Sequence, residues 1–322
     1  MVARMRRLLA VLALCSCGAL VPADSGPTGG GEEDGDVSTV GEPDLPKPAA
    51  ADLVVATFNV HLFFDTTCDS GSCGSGDFES APNQGQFDYR ADEISEGIAG
   101  FDADVVLLQE VENQNCLDAL HMRLGEGYPT AILGETGFSA SVDVAVLSRF
   151  DTLEVRRHSD QPIPLPNGDQ TWFSREFLEV HLDAEGHRLI VFAAHFKSKN
   201  DDDPARRLAE ATRARAIVDA SAAEFPDAVI VMGGDLNDTP GSPPLTALEG
   251  DDGLLRVAAE LAPEDWTYTY HDVHSALDHL LQATAATGGQ YVPGSALVFR
   301  GEGDDGWGGS DHAALRASFR AG

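Results

Sequence analysis

The chain has 322 residues, 43% of them hydrophobic, and carries 53 acidic against 21 basic side chains for a net charge of −32. That length and apolar content suit one large α/β domain or two small ones with a sizeable core, and exclude an intrinsically disordered chain. The acidity excludes the broad basic footprint of a polyanion binder, so a nucleic-acid substrate has to be gripped locally or through cations.

The N-terminus reads as an address. Arg4, Arg6 and Arg7 precede the apolar "LLAVLAL" of residues 8–14, which is too short to span a bilayer as a mature helix and has the form of a secretory signal. The tetrad "LCSC", residues 14–17, is similar to a bacterial lipobox with Cys17 as the lipidated residue; Cys15 is atypical there, and ordinary cleavage is the alternative. Residues 18–52 carry Pro, Gly and acid with almost no large apolar side chains, so they read as a flexible tether. The folded part is then 53–322, where 45 acids stand against 17 bases. Three cysteines remain there. The short "CDSGSC" suits a Cys68 to Cys73 disulfide, which an exported location would preserve, with Cys116 left over. Zinc is the weaker reading, because no second Cys or His pair sits at ligand spacing nearby.

From Leu53 onward, strand-like runs recur: "LVVATFNV", "DVVLLQEV", "SVDVAVLS", a hairpin "FLEVHLDAEGHRLIVFAAHF" turning at Glu185-Gly186, then "AVIVMGGD", "ALDHLLQA" and "ALRASF". Helical patterns fall at Tyr89 to Ala99, Cys116 to Gly125 and Pro204 to Glu224. Hairpins mixed with crossover helices argue against a purely parallel sheet and fit two sheets packed face to face with helices outside.

Polar residues fall at the ends of these apolar runs. Asn59 follows "VVATF", Glu110 follows "DVVLLQ", His195 follows "LIVFAA", and Asp235 and Asn237 follow "AVIVMGG"; Asp278 and His279 interrupt "SALDHLLQA", and Asp311 and His312 precede "AALRASF". An Asx-turn closing a strand explains "GGDLNDTP" alone. Burial of so many such groups would be costly without partners.

In order, "TFNV", "LLQEVEN", "VAVLSR", "HFKSK", "GGDLNDTP", "LDHLL" and "GSDHAAL" resemble the endonuclease/exonuclease/phosphatase family of metal-dependent hydrolases, from about Leu53 to Phe319. The resemblance implies a four-layer α/β/β/α sandwich, two packed mixed sheets flanked by helices, with the site at one edge of the paired sheets. It implies a divalent cation held by Asn59, Glu110 and Asp311: Mg²⁺, or Mn²⁺, with Ca²⁺ as a further candidate. Oxygen ligands suit such hard cations. It also implies catalytic roles for His312 with Asp278, for Asp235 at the attacking water, and for Asn237 and His195 as donors to phosphate oxygens; which of Asp235 and His312 takes the proton stays open. His61 departs from the pattern, standing where many relatives carry an acid, and His279 adjoins Asp278.

Arg149, Lys197 and Arg206 are the expected phosphate contacts, with Lys199, Arg207, Arg213 and Arg215 nearby; the alternative is that the helix arginines pair with Glu210 and the surrounding acids. His121, His158, His181, His187, His271 and His274 read as surface or structural. The motif set is most like that of secreted bacterial nucleases, which implies an exported, monomeric enzyme cutting DNA or RNA. A phosphodiesterase or phosphatase acting on phospholipid or small phosphoesters is the alternative, and a non-catalytic surface binding protein a third.

Overall fold

A computed structural model of the chain describes residues 52–250, 252–261, 265–302 and 306–322. The signal, the lipobox-like Cys17 and all of the tether but Asp52 lie outside the described residues.

In chain order the strands are β1 (Asp52–Phe63), β2 (Val105–Val111), β3 (Thr130–Gly134), β4 (Asp143–Ser148), β5 (Asp151–Arg157) and β6 (Ile163–Pro164). There follow β7 (Gln170–Thr171), β8 (Leu178–Ala184), β9 (His187–His195), β10 (Val229–Asp235), β11 (Leu254–Arg256) and β12 (Tyr268–Tyr270). The last are β13 (Val273–Ser275), β14 (Asp278–Ala283), β15 (Gly289–Tyr291), β16 (Leu297–Phe299) and β17 (Ala314–Ala321). The helices are α1 (Gln84–Phe101), α2 (Gln114–Leu124), α3 (Pro204–Glu224) and α4 (Pro243–Glu249).

One sheet runs β15-β17-β1-β2-β4-β3, with β16 beside β17; the other runs β11-β14-β10-β9-β8-β5. Both are mixed: β1 pairs parallel with β2, and β9 parallel with β10, while their other neighbours are antiparallel. Three buried apolar clusters give the layering. Alternate residues of β1 and β2, such as Phe58 and Leu108, pack under α1 and α2. Their opposite faces, Val55 and Leu107 among them, meet Val191 and Leu280 of the second sheet. The outer face of that sheet, with Phe192 and Met232, packs under α3 and α4. This is the four-layer α/β/β/α sandwich, and it explains why the strands read as near-continuous apolar runs: both faces are covered.

Local chemistry starts the helices. Asn83 caps α1 in a capping box with Gln86, and Asp203 caps α3 ahead of Pro204 at its first turn, where a missing N–H costs nothing. The hairpin between β8 and β9 turns at Glu185 and Gly186, both with positive φ, as a two-residue turn matched to strand twist requires. Cys68 and Cys73 are joined, with Cα atoms 6.0 Å apart. Cys116 is buried and free, donating to the Phe63 carbonyl at 3.2 Å. Among the described residues no helix is long and apolar enough to cross a membrane.

Candidate active site

Register assembles the site. In the second sheet Asp235 of β10 lies opposite His195 of parallel β9 and opposite Asp278 of antiparallel β14. Three apolar strands therefore end on polar groups at one mouth. The first sheet brings Asn59 in β1, Glu110 in β2, and Asp311 and His312 just ahead of β17, His312 bridging to Tyr268. Glu110 is the extra residue of a bulge, between the pairs Gln109–Val144 and Val111–Asp143, with φ +66. Such a bulge re-aims a side chain that regular pleating would have turned elsewhere.

Asn59 is fully buried and ties the two sheets together. Its Nδ2 donates to Glu110 Oε1 at 3.2 Å and to Asp235 Oδ2 at 3.1 Å, while its Oδ1 accepts from the His61 amide at 3.0 Å. Glu110 Oε2 accepts from the Leu62 amide at 2.8 Å. His312 Nδ1 lies 2.8 Å from Asp278 Oδ2, and Thr267 Oγ1 accepts from the Asp278 amide at 3.1 Å. The Asn237 amide donates to Asp235 Oδ1 at 2.8 Å, with Asn237 at φ +53. The Tyr268 ring packs on His312, centroids 4.6 Å apart.

These contacts set the charges. Burial works against the His312 imidazolium, but the Asp278 carboxylate outweighs it and holds the ring protonated, with Asp235 and Asp311 adding to the pull. Burial pushes the Asp235 carboxyl up, with the His312 charge and the Asn237 amide opposing. His195 is fully enclosed and pushed well below the usual histidine range by burial and by the charges of Arg175 and His312, so it is neutral. Its Nδ1 has no hydrogen-bond partner among the described residues. Its Nε2 lies 3.6 Å from Asp235 Oδ2.

All of this opens on a cleft of about 840 Å³ lined by Glu110, His195, Asp235, Asn237, Asp311 and His312, with Arg175 and Lys199 as its cations. Glu110 and Asp311 face the same space, and as hard oxygen donors they fit a divalent ion. His61 already engages Asp311: its Nδ1 sits 2.9 Å from Asp311 Oδ1. The contact with Asp311 raises the His61 pKa. Asn59, expected as a third ligand, uses both ends of its amide within the protein and serves to brace Glu110 against Asp235. Asp235, Asp278 and His312 also cluster, one N or O atom of each within 4.8 Å of the others, but a His312 ring protonated and bonded to Asp278 has no lone pair to offer a cation. Cys68, Cys73 and Glu79 also lie together, but the disulfide removes both thiolates.

The expected phosphate contacts fall elsewhere. Arg149 pairs with Asp102 at 2.9 Å and Asp104 at 3.3 Å. The Lys197 amine bonds the Ser198 and Asn200 carbonyls, and Arg206 lies against Glu210 at 3.4 Å and donates to the Trp172 carbonyl. The pairing alternative holds for most of the helix: Arg207 bridges Asp202 and Asp238, and Arg215 meets Asp219, while Arg213 donates to the Gln161 side-chain oxygen at 2.7 Å. Excess acid explains this, since most of the described bases find a carboxylate or carbonyl nearby. His279 contacts the Asp238 carbonyl through Nε2 at 3.0 Å, which leaves Asp278 to His312. His158 and His181 are structural, both on Glu179. His271 is neither buried nor remote, because it lines the cleft.

Arg175, Thr267, Tyr268 and Tyr270 were missed from the sequence. Arg175 lies alone in "TWFSREF" between elements, with no motif to mark it. The alternation "TYTY" just ahead of "SALDH" was the available signal for the tyrosines.

The sequence model of the Endonuclease/Exonuclease/phosphatase family matches residues 56–312. A search of curated proteins finds no match. Among solved structures, TDP2 from D. rerio complexed with single strand DNA product is 16% identical, with a TM-score of 0.58 over 84% of this chain and 100% of that one. Sphingomyelinase C from Streptomyces griseocarneus is 21% identical, TM-score 0.57, covering 83% and 99%. An endonuclease/exonuclease/phosphatase protein from Bacteroides vulgatus is 16% identical, TM-score 0.59, covering 84% and 99%. At these identities the likeness is one of fold.

Proposed function

The chain belongs to the Endonuclease/Exonuclease/phosphatase family, whose members are phosphoesterase hydrolases, and on that premise we propose that it is an exported, metal-dependent phosphodiesterase that cuts nucleic acid. The observation that carries this reading is the His312–Asp278 pair facing Asp235 in the cleft that also holds Glu110 and Asp311. Bound at Glu110 and Asp311, Mg²⁺ or Mn²⁺ would neutralise charge on the phosphate oxygens and acidify water. His312, kept protonated by Asp278, offers Nε2–H to the phosphate. Asp235, oriented by Asn237 and Asn59, is the carboxylate placed to orient the water and take its proton. Neutral His195 and the free donor capacity of Asn237 face the same phosphate, and Arg175 and Lys199 are the cations within reach.

The DNA-bound fold relative supports a nucleic-acid substrate, and the sphingomyelinase relative supports phospholipid as the second reading. A binding protein without turnover is disfavoured because each expected catalytic position, His195, Asp235, Asn237, Asp278 and His312, keeps a competent side chain. The signal-like N-terminus and the joined Cys68 and Cys73 support export.

The test is nicking of supercoiled plasmid with Mg²⁺ or Mn²⁺, stopped by EDTA, run beside sphingomyelin and bis(4-nitrophenyl) phosphate. Metal-dependent turnover of lipid without DNA cleavage would replace the nuclease reading with the phospholipid one; inertness toward all three would favour a binding role. For the anchor, Cys17→Ser should release the protein from membrane fractions, and a wild type wholly in the culture supernatant would refute lipidation.

A further inference from the structure

The hairpin of β12 and β13 presents an unusual face to the cleft. Its register pairs Tyr268 with Ser275 and Tyr270 with Val273. Since side chains alternate along a strand, these four share one face, and all four line the cleft. Thr269 and His274 project from the other face, where His274 stacks on Trp266. Tyr268 lies against His312, so Tyr270 extends the same aromatic surface outward from the reacting group. It is 62% exposed, and Val273 opposite it is 61% exposed. Neither Tyr270 nor Val273 serves the core at that exposure. The hairpin turns tightly: His271 and Asp272 form its two-residue turn with φ +47 and +60, the left-handed pair that such a turn demands and that side chains other than glycine or asparagine rarely supply.

An exposed tyrosine held beside a phosphoryl-transfer site matches one ligand chemistry closely, the flat face of an unpaired nucleobase, which stacks on aromatic rings whatever its identity. A lipid surface is the poorer fit. The turn that would enter it carries Asp272, no lysine or arginine lies on the hairpin, and the chain as a whole bears −32. Resting on the nuclease reading above, we propose that the β12–β13 hairpin is the substrate-selecting element and that Tyr270 stacks on the unpaired base next to the scissile phosphate, making the enzyme one for single-stranded nucleic acid. A duplex is disfavoured because its bases are already stacked on both faces.

The test uses the full chain with Mn²⁺ and an oligonucleotide whose linkages are methylphosphonate except for one cleavable phosphodiester. Tyr270→Ala should raise KM for this single strand about tenfold with kcat little changed, the scale of one lost base–aromatic stack, and Tyr270→Trp should restore it. Replacing the neighbouring nucleotide by an abasic residue should cost the wild type a similar factor and cost Tyr270→Ala nothing further, because both changes remove the same contact. Full additivity of the two losses, an unchanged KM in Tyr270→Ala, or a duplex cut as readily as the single strand would overturn the stacking role while leaving the nuclease reading intact. Hydrolysis of sphingomyelin vesicles with no oligonucleotide cleaved would overturn the nuclease reading itself.

Discussion

His312 is useful chemically because of what is fixed behind it. Asp278 accepts a hydrogen bond from its Nδ1–H, Thr267 holds the Asp278 amide, and Tyr268 covers the ring, so Nε2 alone is left for substrate. His312→Ala should lower kcat by roughly 10²- to 10⁴-fold, the range for a positioned proton-transfer group, with unchanged circular dichroism. A fall of less than threefold would remove it from the mechanism. The cations divide in the same way. Arg175 lines the cleft, whereas Arg149 is occupied by Asp102 and Asp104 at the surface. Arg175→Ala should raise KM severalfold, and Arg149→Ala should leave KM alone and cost at most about 1 kcal/mol of stability; steady-state kinetics and thermal melts of the two variants separate the roles.

Strand ends position these residues, and their backbones leave little room for change. Gly234 precedes Asp235 with φ +151, and a Cβ there would sit 1.8 Å from the Ala194 carbonyl oxygen of the neighbouring strand. Gly234→Ala should therefore separate β10 from β9 at the site, with a loss on the order of 3 kcal/mol or more and a matching drop in melting temperature. That is why "GGD" ends this strand. At the far side of the same sheet, buried Glu179 of β8 links to the loop after β5 and to α3. Burial raises its pKa, but hydrogen bonds from His158, His181 and Ser221 together outweigh it and hold the group at about 2. A carboxyl depressed in the folded state stabilises the fold above its unfolded pKa and loses that contribution as pH falls toward the folded value. About 3 kcal/mol should thus vanish between roughly pH 5 and pH 2. Denaturant melts across that window should show the loss in wild type and a flatter profile in Glu179→Gln. The elements themselves were unequally legible. The helix at 204–224 was readable because Asp203, Pro204 and its apolar spacing agree. The strand at 151–157 was not, because it is an edge strand with mostly exposed side chains and no alternation deep enough to mark it.

At the scale of the whole molecule, charge governs how a polyanion arrives. Residues 53–322 keep 45 acids against 17 bases, and many of those bases are paired internally. Most nucleic-acid enzymes lose affinity steeply as salt rises, because they bind by releasing counterions. Here long-range repulsion should dominate, so KM for an oligonucleotide should stay flat or fall as NaCl rises from about 50 to 200 mM, the span over which screening changes most. A KM rising tenfold over that range would show that a basic contact surface exists after all.

The sequence by itself determined the strand-rich α/β sandwich, the chain order of its apolar runs, and the identity of Glu110, His195, Asp235, Asp278, Asp311 and His312 as polar groups at strand ends, because each of those facts depends on local pattern and spacing. It also favoured the disulfide, since the short, small-residue segment 69–72 lets Cys68 and Cys73 meet. Only the tertiary structure decided which cations face the cleft, that Asn59 braces Glu110 against Asp235, that His61 engages Asp311, and that an aromatic hairpin stands beside His312. Those are relations between residues far apart in the chain, Asn59 and Asp235 by 176 positions and His61 and Asp311 by more, set by sheet register and by a bulge at Glu110, and neither register across two packed sheets nor the neutralisation of a given arginine by its surroundings is encoded in the residues next to it.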